Sequence, residues 1–310
     1  MRMPACYTAR ACTWDDLESV ADLVRAADLA DVGFADPIRE HIAEGWRVAS
    51  TDIARDTIAV FGGDELAAQA LVEGMNPERS LDIYGRVHPD HRARGVGSAL
   101  LAWCEGRALE RSPALPILRG SAPSTDGRGR ALFERRGFAY VRTFLHMHRS
   151  LGAEVEAGHE PRGIAIRSYD RARDLRGTYD ALEEAFADHW GYEPFPFEEH
   201  VREMTRTDQR LAAVAAAGEE VVGTAIARLV EGQGWIDVVG TRAAWRGRGI
   251  AKAMLLRVFA ALRGAGASSV MLNVDSENGT GATALYDAVG MRVHRGWDVF
   301  EKRFDAAARH

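Results

Sequence analysis

A basic, glycine-containing turn occurs twice in the sequence, about half a chain length apart. The first copy, residues 86–101, reads "RVHPDHRARGVGSALL", and the second, residues 238–255, reads "VVGTRAAWRGRGIAKAML". In each copy an apolar run typical of a strand leads into the turn, and a helical pattern follows it. A second pair of landmarks, "ALFERRGF" ending at Phe138 and "ALYDAVGM" ending at Met291, recurs in the same order and at nearly the same separation. A repeat of so long a period predicts a duplicated domain rather than a solenoid.

The chain length agrees with two domains. Its 310 residues, 46% hydrophobic and 27% charged, suit two ordinary globular domains. Residues 150–163, "SLGAEVEAGHEPRG", are small, acidic and rich in glycine, which is typical of a linker. We therefore predict one domain at residues 1–152 and a second at residues 153–310.

The two copies share one order of predicted elements. Each begins with a helical pattern, at residues 14–30 and 174–188, and continues with hairpin-like strand pairs, the basic turn and a long helix. Hairpin pairs beside strand–helix–strand units predict an α/β (α+β) fold, with a mixed, mostly antiparallel twisted sheet flanked by helices in each domain.

Charge and cysteine content exclude several classes of protein. The formal net charge of −6 argues against a general nucleic-acid binder, although a local basic loop can still bind an anionic cofactor. Cys6, Cys12 and Cys104 form neither a metal-binding spacing nor a disulfide framework. No metal is therefore expected. The sequence shows no signal peptide and no apolar span, which predicts a cytoplasmic protein with no membrane partner. The net charge predicts no nucleic-acid partner. A monomer or a homodimer is expected.

The basic turn has the composition of an anion-binding loop. Glycines let backbone N–H groups approach an anion closely, and the N-terminus of the following helix attracts phosphate. The alternative is an ordinary helix start with solvated arginines. The G-K-[ST] sequence of a P-loop is absent. The candidate phosphate-binding residues are Arg92, Arg94, Gly95 and Gly97 in the first copy and Arg246, Gly247, Arg248, Gly249, Ile250 and Ala251 in the second.

The pattern R-x-x-G-x-[GA] between an apolar strand and a helix resembles the acyl-CoA pyrophosphate loop of the GCN5-related N-acetyltransferases. The second copy also matches that family's downstream signature, L-x-V-x-x-x-N followed by L-Y-x-x-x-G-[FM], at Leu272, Val274, Asn278, Leu285, Tyr286 and Gly290. The resemblance implies acetyl-CoA as the acetyl donor, in a sheet splayed beside the loop so that the pantetheine arm fills the gap. It also implies donor contacts from Val239, Thr241, Asn278 and Tyr286.

Acetyl transfer to an amine needs a base, an N–H group that polarises the carbonyl, and an acid for the leaving thiolate. The resemblance assigns the acid to Tyr286, whose alternative role is that of a core aromatic. It places acceptor-side bases on the strand before the loop, where strand alternation puts Asp237 and Trp235 on one face. Asp237 is the candidate base, although it could instead be a carboxylate paired with an arginine. Trp235 occupies a position where the family often has Glu.

The first copy lacks these groups. Alternation places Leu81 and Ile83 on the corresponding strand face, with Asp82 on the other face, and Phe133 stands at the position of Tyr286. The segment "LRGSAPSTDG" has no asparagine corresponding to Asn278. We therefore predict a degenerate first domain that keeps the pyrophosphate turn, and whether it still binds acyl-CoA stays open.

The acceptor site is expected in the aromatic and acidic segment at residues 186–204, "FADHWGYEPFPFEEHVREM". Loops on a rigid scaffold often bind ligands, and aromatic rings attract cationic amines. The alternative is an aromatic mini-core that fixes the loop. His189 and water compete with Asp237 for the role of base. The candidate acceptor residues are His189, Trp190, Tyr192, Phe195, Glu198 and Trp235.

These observations predict an acetyl-CoA-dependent N-acetyltransferase whose C-terminal domain acetylates a small primary amine by direct attack. Three alternatives stay open. The acceptor could be a cysteinyl amino-sugar conjugate, which one tandem branch of the family acetylates with its C-terminal half. It could be an amino sugar or an antibiotic. The chain could also bind acyl-CoA without catalysis.

Overall fold

The computed structural model describes residues 3–48, 50–74, 76–114, 117–152, 158–194, 196–279 and 281–304. The chain forms two compact units. The first consists of Met1–Phe144 together with Arg295–His310, and the second of Leu145–His294.

The described residues of the first copy form five α-helices and six strands. In chain order they are β1 (Tyr7–Arg10), α1 (Leu17–Val32), α2 (Arg39–Arg47), α3 (Ile53–Asp56), β2 (Thr57–Gly62), β3 (Glu65–Glu73), β4 (Ser80–Val87), α4 (Val96–Arg111), β5 (Ile117–Pro123), α5 (Gly127–Arg135) and β6 (Ala139–Ser150).

The second copy repeats this order, except that a short 3₁₀ turn at Gln209–Leu211 stands in the place of α3. Its elements are β7 (Ala165–Ser168), α6 (Arg171–Phe186), α7 (Phe197–Arg206), β8 (Ala212–Ala217), β9 (Glu220–Val230), β10 (Gln233–Thr241), α8 (Ile250–Gly264), β11 (Ser269–Asp275), α9 (Ala282–Ala288) and β12 (Arg292–Arg303).

The strands of each unit are mostly antiparallel. Their order is β1-β2-β3-β4-β5-β12 in the first unit and β6-β11-β10-β9-β8-β7 in the second. The pairs β4–β5 and β10–β11 are parallel, and each encloses a crossover helix, α4 or α8. The predicted fold class, a mixed and mostly antiparallel sheet flanked by helices, is confirmed.

The two compact units differ from the predicted domains at their last strands. Residues 145–152 belong with the second unit and residues 295–310 with the first. β12 pairs with β5 of the first copy, from Trp297 opposite Pro123 to Arg303 opposite Ile117. At the end of β6, Met147 is fully buried in the apolar cluster of the second unit. Each unit thus takes its last strand from the other copy, which a sequence repeat does not reveal.

Each unit buries one helix against one face of its sheet. In the second unit α8 buries a one-sided apolar stripe, in which each residue is at most 2% exposed: Ile250, Met254, Leu255, Val258, Phe259 and Leu262. Each such side chain contributes about 1.5–3 kcal/mol by leaving water. α6 and α7 cover the opposite face through a separate cluster around Ala181, Met204 and Ile226. No helix in the described part of the chain is long and apolar enough to cross a membrane.

Candidate active site

The second basic turn forms an open backbone cradle at the start of α8. Gly247 and Gly249 have φ angles of +74° and +77°, a conformation that side-chain-bearing residues rarely adopt. A Cβ atom at either position would meet nothing within 4 Å, so the space above the turn is open. α8 begins at Ile250, and its first N–H groups have no partner within the helix. The turn therefore combines free N–H donors with the positive end of a helix.

The arginines of this turn are fixed by backbone and ring contacts. Arg246 donates to the carbonyl oxygens of Thr241 at 3.3 Å and Ala185 at 3.0 Å. The Arg248 guanidinium lies 4.7 Å from the Trp245 ring centroid and donates to Ala244 O at 3.2 Å. Each guanidinium carries five N–H donors, so these contacts leave positive charge and donors for an anion.

The first unit carries the same turn with one electrostatic difference. Gly95 has a φ angle of +84° and precedes α4, and Arg92, Gly95 and Gly97 line a cavity of about 550 Å³. Arg92, however, forms a two-point ion pair with Asp31, at 2.5 and 2.9 Å. A carboxylate thus partly neutralises the first arginine of this turn. Arg94 is exposed.

Both sheets open beside their turn, as the family resemblance implies. The parallel ladder between β10 and β11 covers Gln233–Trp235 and Ser269–Met271 and goes no further. On its other side β10 stays paired with β9 as far as Thr241. The β11-facing edge of β10 after Trp235 therefore offers unpaired backbone groups to a ligand. β4 and β5 diverge in the same way after Ile83 and Gly120.

The predicted donor-binding residues of the second unit lie on β10, at the start of α8 and in the turn after β11. Val239 and Ala251 pack on the apolar cluster that contains Ile250 and Tyr286. The Thr241 hydroxyl is buried and has no hydrogen-bond partner among the described residues, so it is available to an incoming ligand. Asn278 lies in the turn between β11 and α9, where its N–H donates to Asp275 O at 3.1 Å.

Tyr286 is a buried phenol in the same apolar cluster as Ile250. Its side chain is 7% exposed, and burial raises its pKa to about 12. Within the described ranges its hydroxyl makes no hydrogen bond. Tyr286 is therefore protonated at neutral pH and able to donate. In the first unit Phe133 stacks on Phe300 with ring centroids 5.0 Å apart.

Asp237 lies at a β-bulge rather than in a regular strand. The β9–β10 register shifts between Ile236 and Val238, so Asp237 is the additional residue. Ile236 belongs to the α8 cluster, whereas the Asp237 carboxylate is 36% exposed and lies 3.0 Å from Arg228 Nε. Arg228 is also the cross-strand neighbour of Trp235. Asp237 is thus paired with an arginine, as the alternative interpretation expected. Its role as the catalytic base stays a prediction.

The bulge on β10 changes which residues of β4 correspond to Trp235 and Asp237. β3 and β4 pair without a shift from Ala68–Val87 to Glu73–Asp82. Leu81 and Ile83 belong to the core beneath α4, so Asp82 lies on the opposite face. Trp235 likewise lies away from the α8 core, because its neighbour Ile236 faces that core. The hypothesis that Leu81 and Ile83 correspond to Trp235 and Asp237 is therefore wrong: Asp82 is the counterpart of Trp235.

The structure describes five of the six predicted acceptor residues. His189 lies edge-on to Phe186 at 4.5 Å, and burial together with the nearby Arg246 lowers its pKa, so its imidazole is neutral at pH 7. Trp190 is 36% exposed, and Tyr192 donates to Glu183 at 2.5 Å. Glu198 is exposed on the first turn of α7. Phe195 lies outside the described residues.

An aromatic mini-core does form between α6 and α7, as the alternative reading of this segment expected. It consists of Tyr179, Phe197 and His200, with ring centroids 5.1 to 6.5 Å apart. His200 is 3% exposed and lies 3.2 Å from the Thr178 hydroxyl, and burial lowers its pKa. This group fixes the start of α7 rather than lining the donor opening.

β6 adds histidines that the sequence reasoning missed. The His146 ring lies edge-on to Trp235 at 6.0 Å, and His148 lies 5.3 Å from His294. The alternation of His146 and His148 with Leu145, Met147 and Arg149 signals that both histidines share one strand face. The repeat assigned this strand to the other domain, so the contact with Trp235 was not anticipated.

Comparison with known proteins agrees with this geometry. The "Acetyltransferase (GNAT) family" description matches residues 175–291. The chain is 29% identical to the mycothiol acetyltransferase of Thermobispora bispora, over 89% of this chain and 92% of that protein. It is 28% identical to the mycothiol acetyltransferase of a Parafrankia species, over 90% and 92%.

Solved structures extend the likeness to the whole chain. The GCN5-related N-acetyltransferase from Sphaerobacter thermophilus is 32% identical, with a TM-score of 0.87 and 97% of each chain covered. A tandem GNAT protein from the clavulanic acid biosynthesis pathway has a TM-score of 0.74 at 15% identity, covering 96% of this chain and 98% of its own. That second likeness concerns the fold alone.

Proposed function

The chain belongs to the GCN5-related N-acetyltransferase family, and we propose that its second unit transfers the acetyl group of acetyl-CoA to the amine of a cysteinyl amino-sugar conjugate. Acetyl-CoA binding is supported by one observation: an unpaired strand edge leads toward an open, basic turn at the start of a helix. The unpaired edge of β10 ends at Thr241, and the open turn from Arg246 to Ala251 follows it directly.

Each part of the donor has a matching element. The pyrophosphate meets the N–H groups of the Gly247–Ala251 backbone and the charges of Arg246 and Arg248. The amides of the pantetheine arm pair with the β10 edge, near Val239 and Thr241. The buried, unpartnered Thr241 hydroxyl supports a ligand at this position, because buried polar groups normally have partners.

The transfer step requires one proton to leave the amine and one to reach sulfur. The neutral amine nitrogen forms a bond to the thioester carbonyl carbon, and the C–S bond then breaks with its electron pair on sulfur. Tyr286 gives its phenolic proton to that sulfur and recovers a proton from the amine by way of the base and solvent. Its pKa of about 12 keeps the phenol protonated at neutral pH, although it is then a weaker acid than a thiol of pKa about 8.5. We assign the base to Asp237, exposed at the bulge, with neutral His189 as the second candidate.

The acceptor assignment rests on the curated relatives. Two mycothiol acetyltransferases, at 29% and 28% identity, align with about nine-tenths of this chain and of their own length. Trp235, His146 and the Arg228–Asp237 pair form a face with both aromatic and charged groups. Such a face suits a polar amine that carries a sugar. An amino sugar without the cysteinyl group is the second candidate acceptor.

An acceptor panel tests this assignment. Purified protein is incubated with acetyl-CoA and a cysteinyl amino sugar, the same sugar without cysteine, or a simple alkyl amine. Product is measured by mass spectrometry, because the conjugate carries its own thiol. We expect acetylation on the cysteine nitrogen of the conjugate at the highest kcat/KM. Faster acetylation of the free amino sugar would overturn the assignment.

We also propose that the first unit binds acyl-CoA without transferring the acyl group. Its cavity of about 550 Å³ is of ordinary ligand size and is lined by Arg92, Gly95 and Gly97. Phe133 has no proton to donate, and its stacking on Phe300 suits a core role. For the whole protein, we propose that acetyl-CoA and a small amine are its partners in the cytoplasm. Neither nucleic acid nor a membrane takes part in the proposed reaction.

A further inference from the structure

The first unit contains a cluster of metal-binding side chains that the acetyl-transfer chemistry does not use. Glu65, His88 and His91 each offer one donor atom, and these three atoms all lie within 4.8 Å of one another. Glu65 begins β3, and the two histidines lie at either end of the short turn that follows β4. From this cluster we propose a binding site for one divalent transition-metal ion.

The donor separations suit a small tetrahedral ion. His91 Nε2 lies 3.2 Å from Glu65 Oε2, and His88 Nδ1 lies 3.9 Å from Glu65 Oε1. Two ligands bonded to zinc at about 2.0–2.1 Å in tetrahedral geometry are about 3.3 Å apart. The cluster reaches that geometry with movements below about 1 Å. The fourth position is open to water or another small ligand.

The chemistry of the donors selects the class of metal. Two imidazoles and one carboxylate suit Zn²⁺ and its neighbours Co²⁺ and Ni²⁺ better than Mg²⁺ or Ca²⁺, which prefer all-oxygen sites. A divalent ion also offsets the carboxylate charge. Binding through His88 Nδ1 replaces only a long 3.4 Å hydrogen bond from the Asp90 N–H.

A second partner orients the buried ligand. His91 is 8% exposed, and its Nδ1 lies 3.0 Å from the Tyr7 hydroxyl on β1. The Tyr7 hydroxyl can accept a hydrogen bond from Nδ1–H, so the tautomer that leaves Nε2 to bind the ion keeps a partner on its other nitrogen. His91 also packs against Gly62, where a Cβ would lie 2.9 Å from its ring. The imidazole is thus held in place before the metal arrives.

The position of the site suggests what the metal does. His91 directly precedes Arg92, the first arginine of the first unit's basic turn. An ion bound by Glu65, His88 and His91 ties that turn to the β2–β3 hairpin, and through Tyr7 to β1. Metal binding should therefore stabilise the first unit and leave the second unit's turn untouched.

Cobalt titration of metal-free, tag-free protein tests the proposal. We expect one equivalent of Co²⁺ to bind with the strong visible absorption of a tetrahedral site, and Zn²⁺ to displace it. Glu65→Gln keeps a hydrogen-bonding side chain but removes the charge, and His91→Ala removes the buried ligand; both should abolish the absorption. His148→Ala, at the separate His148–His294 pair, should leave it unchanged.

Thermal denaturation with and without Zn²⁺ is a second test of metal binding. It uses Glu65→Gln, so it does not require the His91→Ala variant to fold. Zn²⁺ should raise the melting temperature of the wild type and of His148→Ala, but not that of Glu65→Gln. Tyr7→Phe should weaken the metal affinity about 10- to 100-fold, as the loss of an orienting partner does. Absence of saturable Co²⁺ binding, or binding that survives in Glu65→Gln, would show that these residues only hold the turn by hydrogen bonds.

Discussion

Tyr286, the proposed general acid, and its counterpart Phe133 in the first copy differ by one hydroxyl group. The substitution Tyr286→Phe therefore removes only the group that would donate the proton. Tyr286→Phe should lower kcat by about 100-fold or less and leave the KM for acetyl-CoA nearly unchanged, because the lost interaction exists mainly in the transition state. Steady-state kinetics under conditions where chemistry limits the rate measure this. Wild-type kcat in the variant would make Tyr286 a core residue.

The raised pKa of Tyr286 predicts the shape of the pH profile. A phenol with a pKa of about 12 is at least about 90% protonated up to about pH 11, so loss of its proton removes the acid only above that pH. The kcat of the wild type should therefore show no alkaline decline from Tyr286 between pH 7 and 10. A decline near pH 9 that disappears in Tyr286→Phe contradicts this role.

The sequence predicts the bounds of individual strands but not which strands become neighbours. The apolar runs "TIAVFG" and "SVMLNVD" predict strands, and β2 and β11 have the bounds of these runs, because a local pattern is enough to define a buried strand. The bulge at Asp237 and the exchange of the last strands depend on which strands become neighbours, and periodicity carries no such information. For the same reason the contact between His146 and Trp235, and the joining of Glu65 with His88 and His91, appeared only in three dimensions.

The end of β6 provides a stability test of the strand exchange. Met147 is fully buried in the α8 cluster, whereas His148 lies on the opposite strand face. Met147→Ala should reduce the free energy of unfolding of the second unit by about 2–5 kcal/mol, the usual cost of such a cavity. Urea denaturation measures it, with His148→Ala as the control at below about 1 kcal/mol. Equal effects of the two substitutions would contradict burial of this strand in the second unit.

At the scale of the whole molecule, the exchange predicts where the chain can be divided. A fragment of residues 153–310 keeps the second repeat but loses the end of β6, whereas residues 145–294 form the compact unit. We expect a cooperative thermal transition for residues 145–294 and none for residues 153–310. A fragment of residues 153–310 that melts like the full chain would show that the repeat boundary, not the compact unit, defines the folding domain.

The division of labour between the two units is the central claim, and one paired measurement tests it. Gly249→Glu and Gly95→Glu place the same side chain, with the same backbone strain, at matching turns with φ angles of +77° and +84°. Both variants are first checked for folding by thermal denaturation, and turnover of acetyl-CoA with the preferred amine is then compared. Gly249→Glu should abolish turnover, because a carboxylate occupies the phosphate position, and Gly95→Glu should retain most of it. Loss of turnover in both folded variants, or in Gly95→Glu alone, would contradict a catalytic second unit supported by a non-catalytic first.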